Sequence, residues 1–113
     1  MNWRTFAIIT AAALLAGCIS GVPVSIDNQS SSDLTEVVVS GKGFSESVGT
    51  VHAGRSELFH IRPKGETQVK VAFVVDGQRY TGMLEGTIEN DNVNTIKATV
   101  SADFSISVSA ELR

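Results

Sequence analysis

From residue 22 onward the chain alternates apolar and polar positions with a period of two, the pattern of strands that bury one face. Val22, Val24 and Ile26 alternate with polar neighbours and end at Asp27-Asn28, where a serine-rich turn runs to Asp33. Leu34 to Ser40 contains Val37-Val38-Val39, apolar on both faces, which predicts a central strand. Gly41-Lys42-Gly43 interrupts it, Ser47 to Val51 is a weaker strand, and Ala53-Gly54-Arg55 marks the next turn. Glu57 to Ile61 then leads into Pro63-Lys64-Gly65, where a fixed φ is followed by a free one. No segment past the N-terminus holds a 3.6-residue period, so no helix is expected there.

Two hairpins are specific enough to carry a register. Asp76-Gly77 suits a two-residue type I′ turn, in which both residues take positive φ. Val75 then faces Gln78, Phe73 faces Tyr80, Val71 faces Gly82 and Val69 faces Leu84, sharing a largely apolar side. Lys70–Met83, Ala72–Thr81 and Val74–Arg79 share the other side, and a slip of one residue would mix the two sets. Gly82 opposite Val71 leaves a gap for another side chain to fill, or marks a bend. In the last hairpin Phe104, Ile106, Val108, Ala110 and Leu112 form one face, and Ser105, Ser107, Ser109 and Glu111 the other. Matching apolar with apolar places Val100 opposite Phe104 across a loop of Ser101-Ala102-Asp103, with Phe73 and Phe104 both buried. Seven or eight short strands, each with one apolar face, predict an all-β antiparallel sandwich, immunoglobulin-like or transthyretin-like.

The first 18 residues are of a different kind. Arg4 and the start amine precede an apolar run from Phe6 to Leu15, which is short of the ~20 residues a membrane-spanning helix needs. Small residues and a cysteine close it as Leu15-Ala16-Gly17-Cys18. This stretch resembles the lipobox of bacterial lipoproteins, in which signal peptidase cuts between the residues corresponding to Gly17 and Cys18. The resemblance covers only this segment. It implies a cleaved signal peptide (1–17) and a lipidated N-terminus with a short tether (18–22), which leaves the β-sandwich domain predicted by the alternation at 23–113. It also implies a diacylglyceryl group on Cys18, usually with an N-linked acyl chain such as palmitate. Two or more chains are what stable anchoring requires.

On that reading the mature chain has 96 residues, enough for one small domain. Cys18 is the only cysteine, so no disulfide forms and packing alone stabilises the fold. Arg4 leaves with the signal, and the remaining eight basic and twelve acidic side chains give a formal charge of −4. With no run of basic residues, this composition argues against nucleic acid and against attraction to anionic lipid. From Cys18 to Pro23 the chain spans at most about 18 Å, so the domain is expected to lie close to its membrane. Ile19 stands where enteric-type lipoproteins kept in the inner membrane carry aspartate. The resemblance therefore implies the outer membrane, facing the periplasm.

Candidate chemistry is sparse. His52 and His60 are eight residues apart on different elements, and a metal would need a third ligand such as Glu57 or Glu85 that nothing fixes. Glu85, Glu89, Asp91 and Asn92 cluster around a turn whose spacing departs from an EF-hand loop. No serine lies in a Gly-x-Ser-x-Gly elbow. The expectation is therefore no catalytic residue, no metal and no cofactor beyond the covalent lipid. Two functions fit. One is a non-catalytic envelope module, held by Cys18, that binds another envelope protein by a sheet edge or loop face. The other is a ligand-binding or inhibitor module, for instance against a cell-wall hydrolase.

Overall fold

The computed structural model describes residues 21–113, and within them the chain is all-β. Leu15-Ala16-Gly17-Cys18 lies outside the described residues. The eight strands are β1 (Val22–Asn28), β2 (Leu34–Gly41), β3 (Phe44–Val51), β4 (Ser56–Ile61), β5 (Lys70–Val75), β6 (Gln78–Met83), β7 (Val93–Val100) and β8 (Ile106–Leu112). They form two four-stranded sheets in the orders β4-β1-β7-β8 and β3-β2-β5-β6. An immunoglobulin sandwich puts its first, second, fourth and fifth strands in one sheet. Here β1 and β4 are in one sheet and β2 and β5 in the other, which leaves the transthyretin-like arrangement of the two expected.

The core lies where the period-two pattern puts it. Val22, Val24 and Ile26 from β1 meet Val37 and Val39 from β2, and Val69, Val71 and Phe73 from the β5 arm, all essentially without solvent exposure. β2 is central, as its apolar run predicts, flanked by β3 and β5. A bulge with Glu36 at φ 50 lets Leu34 and Val37, three residues apart, both point inward. β3 starts at Phe44, earlier than the expected Ser47, because Lys42-Gly43 closes a tight turn in which Gly41 pairs with Phe44.

The β5–β6 hairpin has the register read from the sequence, from Val75↔Gln78 to Lys70↔Met83, with Asp76 and Gly77 at φ 50 and 77. The gap over Gly82 is filled by Ile106, whose Cβ would lie 2.6 Å from a methyl at that glycine. The last hairpin differs from its expected register by two residues. Val100 pairs with Ile106, and the loop is Ser101–Ser105. Asp103 Oδ1 accepts from the Ser105 amide (3.1 Å) and hydroxyl (2.8 Å), and Phe104 takes φ 67 between them. Phe104 is consequently a half-buried loop residue against Tyr80 (5.1 Å between ring centres) rather than a core strand residue. A slip of two preserves which face is apolar, so the alternation along β8 survives the change.

β1 and β7 pair in parallel, Val24 with Ile96 and Asn28 with Val100. Hence one end of the sandwich carries Gly21, the β2–β3 turn, both long connections (62–69 and 84–92) and Arg113. The other end carries the turns at 29–33, 52–55, 76–77 and 101–105. That second end is fastened by one buried side chain. Asn28 Nδ2 donates to the carbonyls of Val51 (3.0 Å) and Ser32 (2.8 Å), and its Oδ1 accepts from the Ser30 amide and hydroxyl. Its backbone bonds the 52–55 turn at Gly54 and Arg55.

Candidate docking groove

One of the two open sides of the sandwich is where β6 and β8 lie over each other. β6 ends at Met83, and the chain then folds inward: the Leu84 amide bonds the Val69 carbonyl, and Thr67 and Ile88 bridge. Nothing in the second sheet continues over the C-terminal half of β8. Ile106, Val108 and Ala110 keep the inward orientation expected of them but are only half-buried, and Leu112 is 61 % exposed. Together with Met83 (49 % exposed), Leu84 and Ile88 they line a groove of about 590 Å³. Glu85 is its one ionisable lining residue.

The groove runs beside an unpaired strand. Among the described residues β8 is the outer strand of its sheet, paired to β7 only, with its other edge open. Ser107, Ser109 and Glu111 alternate with the apolar residues and are exposed; Ser107 and Ser109 also line the groove, and Glu111 Oε1 accepts from Asn94 Nδ2 at 3.1 Å. An open edge offers unpaired amides and carbonyls, and an apolar strip under it offers places for alternate side chains. The arrangement suits an added strand. Among the described residues its lining carries the Glu85 carboxylate and the hydroxyls of Thr87, Ser107 and Ser109.

The residues singled out for chemistry fall elsewhere and apart. His52 is an exposed turn residue whose Nδ1 lies 3.1 Å from Asp33 Oδ2, at the end fastened by Asn28. His60 is half-buried on β4, opposite Pro23, and Glu57 is exposed on the same strand. Glu85 is in the groove, while Asn92 spends its side chain on the Glu89 amide (2.9 Å) in an ordinary turn bond. Among the described residues no three His, Cys, Asp or Glu side chains gather as a metal site. Gly17 and Cys18, the cleavage and lipidation residues of the lipobox, lie outside the described residues.

Comparison with known proteins adds one finding. No family model matches the chain, and no curated protein does. A solution structure of a protein from Eubacterium rectale superposes with a TM-score of 0.54 at 17 % identity, over 80 % of this chain and 86 % of that one. The likeness is one of fold. It shows the sandwich and carries no activity with it. Met83 and Leu112, the exposed lips of the groove, were not singled out by the sequence. Leu112 sits in the same alternation as core residues, and only the missing cover above it distinguishes it from them, whereas Met83 pairs with Lys70 on the other side of the β5–β6 hairpin.

Two carboxylates make the fold sensitive to acid. Asp33 accepts the Ala53 amide (3.0 Å), and that bond, followed by the one to His52, holds its carboxyl below the ordinary 3.8. Asp103 is held low in the same way by the Ser105 hydroxyl and then by the Ser105 amide. A carboxylate whose folded value is depressed adds stability above its unfolded value and loses it as pH falls through the folded one. Both groups are exposed, so the effect is small and screened by salt. Urea midpoints taken downward from pH 3.8 should fall, and Asp33→Asn should flatten part of that fall. Equal slopes for the two proteins would contradict this.

Proposed function

We propose that this chain is a non-catalytic envelope lipoprotein, anchored through Cys18, that takes up a segment of another envelope protein as an added strand along β8. The observation that carries the docking half is the open β8 edge over a half-exposed apolar strip from Ile106 to Leu112. Exposed apolar surface of this kind on a small domain is costly to keep unless a partner covers it. The anchoring half is supported by the Leu15-Ala16-Gly17-Cys18 motif and by the position of Gly21, which leaves three residues between Cys18 and β1. The partner segment would alternate apolar residues into the groove with polar ones outward, and carry a cation to meet Glu85. The outer membrane, facing the periplasm, is the site this reading assigns.

Anchoring and docking then reinforce each other, because a tethered domain meets a partner in the same membrane at raised effective concentration. The test uses Met83→Glu/Leu112→Glu. Both positions are solvent-exposed, so the pair should change stability by no more than about 0.5 kcal/mol per site. Extracted in mild detergent, the wild-type protein should bring down a stoichiometric partner, and the double variant should lose most of it. Equal recovery with both would remove the groove from the proposal.

A further inference from the structure

The sequence has no basic run, but the fold assembles a basic corner. Lys42 is in the β2–β3 turn, Arg62 and Lys64 follow β4, and Lys70 opens β5; all four are exposed and all lie at the end of the sandwich where the chain enters at Gly21. Shared neighbours place three of them together, and Arg62 lies two residues from Lys64. The Lys64 stem passes over Gly43, so that a methyl there would lie 3.0 Å from Lys64 Cβ. Lys42 and Lys70 line one hollow of about 440 Å³ with Thr67, Gln68 and Glu66. Arg62 is beside the entering chain, its Cγ 3.1 Å from where a Gly21 methyl would be.

The acids of the same end lie mostly on its other side. Glu85, Glu89 and Asp91 come from the β6–β7 connection and Glu111 from β8. Glu66, a carboxylate among the cations, accepts the Thr87 hydroxyl at 2.7 Å. The anchored end is thus uneven in charge, with cations collected around the β2–β3 turn and the 62–70 segment and acids around the 85–91 connection and the end of β8, Glu46 on β3 and Arg113 after β8 being the exceptions.

We infer that the basic corner, Lys42, Arg62, Lys64 and Lys70, rests on the anionic headgroups of the membrane that holds the lipid. This rests on the reading of Cys18 as the anchor. Three residues separate Cys18 from β1, at most about 14 Å of extended chain. That reach keeps the corner within about two of the ~8 Å lengths over which surface charge is screened at physiological salt. Attraction of the cations and repulsion of Glu85, Glu89, Asp91 and Glu111 tilt the domain the same way. The tilt lowers the β3–β4 side onto the lipid and lifts the β6–β8 groove away from it, where a partner reaches it. The composition argued against attraction to anionic lipid; a net charge of −4 does not reveal how the fold divides it.

The test uses lipidated protein in vesicles, with single thiols at Gln68→Cys beside the corner and Ala102→Cys at the far end. With the Cys18 sulfur held in a thioether to the diacylglyceryl group, as the anchor reading requires, the introduced thiol is the one that reacts with a membrane-impermeant maleimide. Intact mass first establishes the lipid on Cys18; a chain without it overturns the anchor and the seating together. With the lipid present, Gln68→Cys should react several-fold more slowly in vesicles containing phosphatidylglycerol than in phosphatidylcholine alone. Ala102→Cys should react equally in both, and adding Lys42→Glu/Lys64→Glu should restore the Gln68→Cys rate. Equal rates for Gln68→Cys in the two lipids, or slowing that survives the charge reversal, would overturn the seating and leave the anchor standing.

Discussion

Phe73→Ala should cost the domain about 3–5 kcal/mol, the range for deleting a buried phenylalanine. Phe73 is the largest fully buried side chain, and its ring stacks on Tyr80 with 5.5 Å between centres. Truncation leaves a void between β5 and the facing sheet that neighbouring valines, stiff at χ1, fill poorly. The loss is a large share of the ~5–15 kcal/mol that holds a small domain together. Phe104→Ala should cost clearly less, since that ring is half-buried in a loop. Ser107→Ala, on the outward face of β8, should stay within about 0.5 kcal/mol. Urea melts of the three variants order them, and a Phe104 loss as large as that of Phe73 would contradict the loop placement of Phe104.

Asn28→Ala should be the most damaging polar substitution, at about 2–4 kcal/mol. The side chain is fully buried and satisfies the Val51 and Ser32 carbonyls and the Ser30 amide and hydroxyl at once. Each buried group left without a partner costs about 1–3 kcal/mol, and those losses overlap within one network. The damage should be local as well as global. Amide exchange should speed first at Ser30, Gly54 and Arg55, at the end Asn28 fastens. A variant that loses stability with unchanged exchange at those amides would show that the network is not what joins the two turns.

The sequence made some of this structure legible and hid other parts for definite reasons. Asp76-Gly77 sets both turn type and pairing, so the β5–β6 register followed from local residues. In the β7–β8 hairpin, the alternation fixed which side chains face inward but is blind to a slip of two. The bonds from Asp103 to Ser105, with Phe104 at positive φ, decided that slip. The parallel pairing of β1 with β7 joins residues about 70 apart and has no local signal. The groove was hidden for a similar reason. Leu112 reads as a core position until it is known that β6 stops at Met83 and leaves it uncovered. The basic corner draws Lys42, Arg62, Lys64 and Lys70 from three segments, so no window of sequence contains it. The lipobox is the opposite case, complete within four residues and independent of the fold.

Placing a photo-reactive residue at Leu112, and in a second protein at Leu58, tests the docking claim most directly. Both positions are exposed apolar sites, 61 % and 68 %, on outer strands at opposite sides of the same sheet. In intact cells the probe at Leu112 should give one discrete adduct, which Met83→Glu should weaken, while the probe at Leu58 should give none. A discrete adduct from Leu58 and none from Leu112 would contradict the account.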